Sequence, residues 1–273
     1  MWTRVAITPS ADHLAPALSA AMFAAGAEGL QELERSLITH LPPECDARAF
    51  VESLRRVDPA LHADVAPIED IDWSVRWRDR LTSHRLGPLI VSPPWLAEGL
   101  DPATTVVIEP AMAFGTGDHP TTRGVVRLMA EVIRGGETVA DLGAGSAVLS
   151  IAAVKLGAGR VFAIEFDHDS IGNAEENVER NGASDRIAVL EGDAALLLPL
   201  VAPVGIIFAN IISSVLLELL PAMAAALGPG GRAILSGILT EERERMLEAL
   251  QVAGWRVEGE DVEDPWWSVR LAR

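Results

Sequence analysis

Asp141, Gly143, Gly145 and Glu165 have the types and spacing that a small-molecule site would need. Val139-Ala140-Asp141-Leu142 is a short apolar run with one acid, and Gly143-Ala144-Gly145-Ser146 turns the chain after it. Residues 147–156 are apolar at nearly every position, as a helix laid on a sheet would be, and Val161-Phe162-Ala163-Ile164 is a second apolar strand closed by Glu165. Glycines let a backbone come close to a ligand, and the start of the following helix offers N–H donors. An acid at the end of the next strand can accept hydrogen bonds from both hydroxyls of a ribose. The unit reads as a nucleoside site. A dinucleotide fingerprint would require a third glycine, but Ser146, Ala147 and Val148 follow Gly145. Asp141, just before the turn, would repel a pyrophosphate and suit a ligand carrying an ammonium group. The pattern fits S-adenosylmethionine better than NAD.

Other chemistry-bearing residues surround this unit. The segment Ala113-Phe114-Gly115-Thr116-Gly117-Asp118-His119-Pro120-Thr121-Thr122 is dense in glycine and hydroxyls, which suits a lid or a ligand wall. Thr121 and Thr122 also open a helix running toward Gly135, so N-capping is a second role for them. Asn210 ends an apolar strand, and Asp193 follows another. Asp193 could touch an adenine ring, or simply occupy a Gly-Asp turn. His119 could relay a proton or stabilise its loop.

These residues need elements to position them. Strand-like runs over 139–142, 161–164, 187–190, 204–209 and 232–236 alternate with helical stretches over 147–156, 169–181, 214–227 and 241–253. Such alternation predicts an α/β, Rossmann-like fold, a doubly wound, mostly parallel sheet with ligands at the carboxyl ends of the strands. Pro221 should bend or divide the helix over 214–227, and Gly228-Pro229-Gly230-Gly231 should form a turn. Residues 255–262 and 266–271 pair as a final hairpin around Asp264-Pro265. Upstream, strands at 89–91 and 106–109 flank a Ser92-Pro93-Pro94-Trp95 turn. The catalytic domain is assigned to 86–273. A linker over 68–85 carries Trp73, Trp77 and Leu81 at every fourth position, one helical face that serves packing. Residues 1–67 read as strand 2–7, helix 12–25, strands 30–33 and 36–41, helix 46–57 with Asp46 as N-cap, and strand 61–65. This β-α-β-β-α-β order is that of a small α+β ferredoxin-like domain.

Composition narrows the classes. The 273 residues suffice for two domains. A net charge of −17 is wrong for a nucleic-acid surface and favours attraction of basic partners. The single cysteine, Cys45, excludes an intramolecular disulfide and a cysteine zinc cage, and no metal site is expected. The apolar run 211–227 carries Glu218 and Pro221 and is too short and interrupted to span a bilayer. Without a secretory pattern at the N-terminus, a cytoplasmic protein is expected.

The pieces A-F-G-T-G-D-H-P-T-T, D-L-G-A-G-S-A-V-L-S-I-A-A-V-K-L-G-A, N-I-I-S and L-S-G-I-L, in this order, resemble the ribosomal protein L11 methyltransferase family. The likeness extends upstream through D-W-S-V-R-W and P-P-W. It implies a class I methyltransferase domain over 86–273 with S-adenosylmethionine as cofactor, held by Thr122, Gly143, Glu165 and Asn210, with Asp141 and Gly145 in the same glycine motif. Phe114, Gly115, Thr116 and Gly117 match the family loop that closes over the cofactor. The implied reaction is methyl transfer to lysine side chains and the N-terminal amine of large-subunit protein L11, taken free before assembly by a monomer. The first domain then corresponds to the family's substrate-recognition domain. Asn210 would orient the amine. Methylation of another protein lysine or a small amine, and a non-catalytic cofactor-binding module, are the competing readings. The chain departs from the family pattern at Ala144 and Ala147 (usually Cys and Gly), at Glu165 (usually Asp), at Glu109-Pro110-Ala111 (usually D-P-G) and at Asn210-Ile211-Ile212-Ser213 (usually N-I-L-A), and its first domain is short.

Overall fold

The computed structural model describes residues 2–27, 29–33, 35–67, 81–110, 115 and 117–273. Phe114, Thr116, Trp73 and Trp77 lie outside the described residues, as does most of the expected linker. The chain divides into two units, Met1–Leu81 and Thr82–Arg273.

In the first unit, β1 (Thr3–Thr8), α1 (Ala15–Ala24), β2 (Gln31–Leu33), β3 (Ser36–Leu41), α2 (Ala47–Leu54) and β4 (His62–Pro67) follow in order. The strands form an antiparallel sheet in the order β2-β3-β1-β4. Val5 and Ile7 alternate inward on β1, as period two requires, and pack with Leu18 and Met22 of α1 and Phe50 and Leu54 of α2. Asp46 caps α2, its carboxylate accepting from the N–H groups of Arg48 and Ala49.

The second unit opens with a small sheet of β5 (His84–Leu86), β6 (Leu89–Ser92) and β7 (Thr105–Val107). After α3 (Pro120–Ala130) come β8 (Thr138–Leu142), α4 (Val148–Leu156), β9 (Arg160–Glu165), α5 (His168–Arg180), β10 (Ile187–Glu191), α6 (Ala194–Val201), β11 (Val204–Asn210), α7 (Ser213–Ala226), β12 (Leu227–Leu239), α8 (Arg243–Val252), β13 (Arg256–Glu263) and β14 (Trp266–Ala272). Seven strands make one sheet in the order β10-β9-β8-β11-β12-β14-β13, parallel from β10 to β12 and antiparallel where β14 joins. β8 and β11 are buried on both faces, which explains their unbroken apolar runs. Core clusters lie about Ile151, Val161 and Phe208 and about Ile207, Leu216 and Trp267. The strand order reverses between β8 and β11, and such a switch point leaves a crevice at the strand carboxyl ends.

Three local expectations need correction. α7 runs undivided through Pro221, because Leu216, Leu219, Leu220 and Met223 bury one face and outweigh the hydrogen bond that proline forfeits. Residues 228–231 bulge out of β12 rather than preceding it: Val204 pairs with Leu227 and Ile206 with Arg232, so two steps on β11 oppose five on β12. α6, which runs through Pro199, was not expected. Among the described residues no helix is long and apolar enough to cross a membrane.

Candidate active site

A cleft of about 940 Å³ opens over the carboxyl ends of β8, β9, β10 and β11, a volume suited to a nucleoside-sized ligand. Its walls include Thr122, Gly143, Gly145, Glu165, Asp193 and Asn210, residues drawn from five separate segments of the sequence.

The glycine turn has a definite electrostatic character. Gly143 N–H and Ala144 N–H both donate to the Ile164 carbonyl, at 2.8 and 3.1 Å. Gly145 N–H donates to Glu165 Oε2 at 2.7 Å. Three turn donors that a phosphate could use are therefore already bonded. The cleft lining carries Glu165, Asp167, Asp193 and Glu218, acids that attract positive charge. The turn is shaped by left-handed backbone at Gly143, Gly145 and Ala147 (φ 72°, 53° and 64°), the last at the N-cap of α4. A non-glycine residue in this region stores strain, and Ala147 is so held at the foot of the site.

Glu165 ends β9 and uses each oxygen once: Oε2 on Gly145 and Oε1 on Asp167 N–H at 2.8 Å. Each carboxylate oxygen keeps a second lone pair for a ligand hydroxyl. Asp193 lies on the wall as the N-cap of α6, accepting from Ala195 N–H at 2.8 Å. Asn210 ends β11, and Ile211 after it is wedged between two glycines. A Cβ on Gly143 would meet Ile211 Cγ2 at 2.5 Å, and one on Gly237 would strike the Ile211 backbone. Both glycines are needed to seat the Asn210-Ile211 segment.

Asp141 and Gly117 sit elsewhere than expected. Asp141 does not line the cleft; it lies fully buried beneath the turn. Its Oδ2 accepts from the Ser150 hydroxyl at 2.6 Å, while Oδ1 has no partner among the described residues. Burial, with repulsion from Glu165 and opposed by Ser150, pushes its carboxyl up to about 6. Gly117 faces Val91, which its Cβ would meet at 2.6 Å, away from the cleft. Gly115 does line the cleft, and its carbonyl accepts from the Ser146 hydroxyl at 2.6 Å.

His119, not Thr121 or Thr122, caps α3. Its Nδ1 lies 2.7 Å from Thr121 Oγ1 and accepts from Thr121 N–H at 3.4 Å. Desolvation first, then Arg123, lowers the imidazole pKa, so the ring is neutral near pH 7. With Nδ1 assigned as acceptor by the cap, the ring hydrogen sits on Nε2, which then has no lone pair for a proton relay. Thr122 is fully buried in the first turn of α3, and its Oγ1 has no partner among the described residues although the residue lines the cleft. An orphan hydroxyl at a helix start is a ready donor for an anionic group of a ligand.

The structure adds wall residues that had no sequence signal. Phe166 follows Glu165 and is 78% exposed on the cleft wall. Trp266, far along the chain at the start of β14, also lines the cleft and meets His119 edge-on, ring centroids 4.9 Å apart.

The sequence profile of the ribosomal protein L11 methyltransferase (PrmA) family matches residues 15–273. The chain belongs to this family. A ribosomal protein L11 methyltransferase of Thermus thermophilus is 37% identical over 246 residues, covering 90% of each chain. One from Pelotomaculum thermopropionicum is 37% identical over 210 residues, 76% of this chain and 68% of that one. Among solved structures, the ribosomal protein L11 methylase of Lactobacillus delbrueckii subsp. bulgaricus superimposes with a TM-score of 0.64 at 30% identity, covering 71% of this chain and 99% of the other. The ribosomal protein L11 methyltransferase family thus spans both the cleft and most of the first unit here.

Proposed function

We propose that this protein transfers methyl groups from S-adenosylmethionine to amino groups of ribosomal protein L11, both lysine side chains and the N-terminal amine. The observation that carries the reading is the used-up N–H inventory of the glycine turn, which leaves a cleft suited to a cationic nucleoside. Glu165 would accept the ribose hydroxyls, and Asp193 would face the adenine. Thr122, with its unpartnered hydroxyl, would donate to the amino-acid carboxylate, and the carbonyls around Gly143 and Gly145 would take the ammonium. Gly115 walls the cleft beside the turn, held by the Ser146 hydroxyl. Phe114 and Thr116 are assigned to the same loop on the resemblance alone. Asp141 contributes from beneath, as negative charge screened little by water.

S-adenosylmethionine supplies an activated methyl on a sulfonium, so the protein needs to contribute alignment and electrostatics more than acid–base chemistry. The acceptor must arrive as a neutral amine, because an ammonium has no lone pair. Among the described residues none hydrogen-bonds the Asn210 side chain, so its amide oxygen is available to accept from the incoming N–H and orient it. The released proton leaves to water through the cleft mouth, since His119 is occupied as a cap.

The first unit is assigned to substrate recognition. Free L11, rather than the assembled subunit, is the proposed substrate, because a chain of net charge −17 is repelled by RNA phosphates. The protein is proposed to act as a cytoplasmic monomer. The test is incubation of purified L11 with this protein and S-adenosylmethionine, followed by intact-mass and peptide analysis. Addition of methyl groups at amines supports the proposal. Methylation only of other lysate proteins or of small amines would redirect it, and cofactor binding without any turnover would leave a non-catalytic module.

A further inference from the structure

α5 presents Asn173, Asn177 and Asn181 at four-residue intervals, a single helical face of amides. This face covers the open edge of the chain around β7. Asn181 pairs with both backbone groups of Val107, accepting from its N–H at 2.9 Å and donating to its carbonyl at 2.7 Å. Asn173 donates to the Glu109 carbonyl at 3.2 Å, and Asn177 accepts from the Glu109 N–H at 2.8 Å. The three amides do for residues 107–109 what a neighbouring strand would otherwise do.

Asn177 differs from the other two because it also reaches the glycine turn. Its Nδ2 donates to the Ser146 carbonyl at 3.1 Å and to Asn173 Oδ1 at 3.4 Å, and its Oδ1 accepts from Arg180 at 3.0 Å as well as from Glu109. All four hydrogen-bonding positions of the amide are filled, and the side chain is fully buried. The amide cannot be flipped, because Glu109 N–H can only donate and the Ser146 carbonyl can only accept. Packing alone would be served by an apolar residue, as at Ala174 and Val178 on the same helix. Ser146, held this way by its carbonyl, uses its hydroxyl to hold the Gly115 carbonyl at the cleft wall.

We propose that Asn177 is a positioning residue for the cofactor site: its amide fixes Ser146 of the glycine turn relative to Glu109 and thereby sets where the turn and Gly115 face the ligand. This rests on the reading that the cofactor lies against the turn. Asn177 touches no ligand itself and acts through Ser146.

The experiment compares Asn177→Asp, Asn177→Ala and Asn181→Ala in the full chain, measuring S-adenosylhomocysteine affinity by calorimetry and unfolding by urea. Asn177→Asp keeps the acceptor oxygens for Glu109 and Arg180 and replaces the donor to Ser146 by a second oxygen, and the urea unfolding reports its fold separately from its affinity. Asn181→Ala breaks the same helix-to-β7 seam without touching the turn. The expected result is a roughly tenfold or greater loss of affinity in both Asn177 variants, from a buried carbonyl losing its donor. Asn181→Ala should lose stability yet bind within about twofold of wild type. Unchanged affinity in Asn177→Asp, or an equal loss in Asn181→Ala, overturns the proposal while leaving the function standing. Failure of the wild-type protein to bind S-adenosylhomocysteine overturns the reading on which it rests.

Discussion

Replacing Asp141 by asparagine should change how stability depends on pH, with a sign and size that follow from where the carboxylate sits. The side chain is fully buried, Oδ1 has no partner among the described residues, and its pKa is raised from 3.8 to about 6, chiefly by desolvation. In the unfolded chain the group titrates near 3.8. Between these values the folded protein holds a proton that the unfolded chain has released, so stability falls as pH rises. The interval, at about 1.4 kcal/mol per pH unit, corresponds to roughly 3 kcal/mol. This penalty is absent below about pH 4, grows through pH 4 to 6, and is complete above. The asparagine of the variant does not titrate, and any cost of its buried amide is the same at every pH. Urea unfolding of both proteins from pH 4 to 7.5 should therefore show the wild type losing roughly 3 kcal/mol relative to the variant. A difference that stays flat, or that moves in favour of the wild type with rising pH, would refute the assignment of Asp141 as a desolvated carboxylate. The same variant should bind a cationic ligand more weakly at pH 7.5, since it removes a negative charge under the turn.

Glu165→Gln removes the charge that faces the ribose, and the affinity for S-adenosylhomocysteine should fall by roughly 10- to 100-fold, read by calorimetry. Gly237→Ala places a Cβ against the Ile211 backbone at a residue with φ 82°, and should destabilise the fold by roughly 2–5 kcal/mol in urea and displace Asn210. His119→Asn retains a side-chain acceptor for Thr121 N–H and should keep turnover within about fivefold, whereas loss of a proton acceptor would lower it by about a hundredfold or more. Asn210→Ala should lower the turnover number more than it lowers cofactor affinity, because its amide is assigned to the amine as well as to the cofactor wall.

The sheet of the second unit was legible because its strands are short apolar runs separated by helices with capping residues, and strand–helix alternation leaves few arrangements. The glycine turn, Glu165 and Asn210 could be placed at one crevice for the same reason: each ends a parallel strand. What the sequence could not convey was which groups of the turn remain available. That Gly143, Ala144 and Gly145 spend their N–H groups on Ile164 and Glu165 depends on the register of β8 against β9. The burial of Asp141 and the turning of Gly117 toward Val91 are likewise consequences of packing across distant segments. Trp266 reaches the cleft only because β14 inserts antiparallel beside β12, a pairing with no local signal. The amide face of α5 likewise gained its meaning only from packing, because its partners Val107 and Glu109 lie more than sixty residues away in the chain.

The most direct measurement is a pair of titrations on the same protein sample, one with S-adenosylmethionine and one with NAD. A turn whose Gly143, Ala144 and Gly145 N–H groups are already bonded, over a buried acid, predicts saturable one-to-one binding of the sulfonium nucleoside and none of the pyrophosphate ligand at comparable concentration. Binding of NAD with equal or greater affinity would contradict the account.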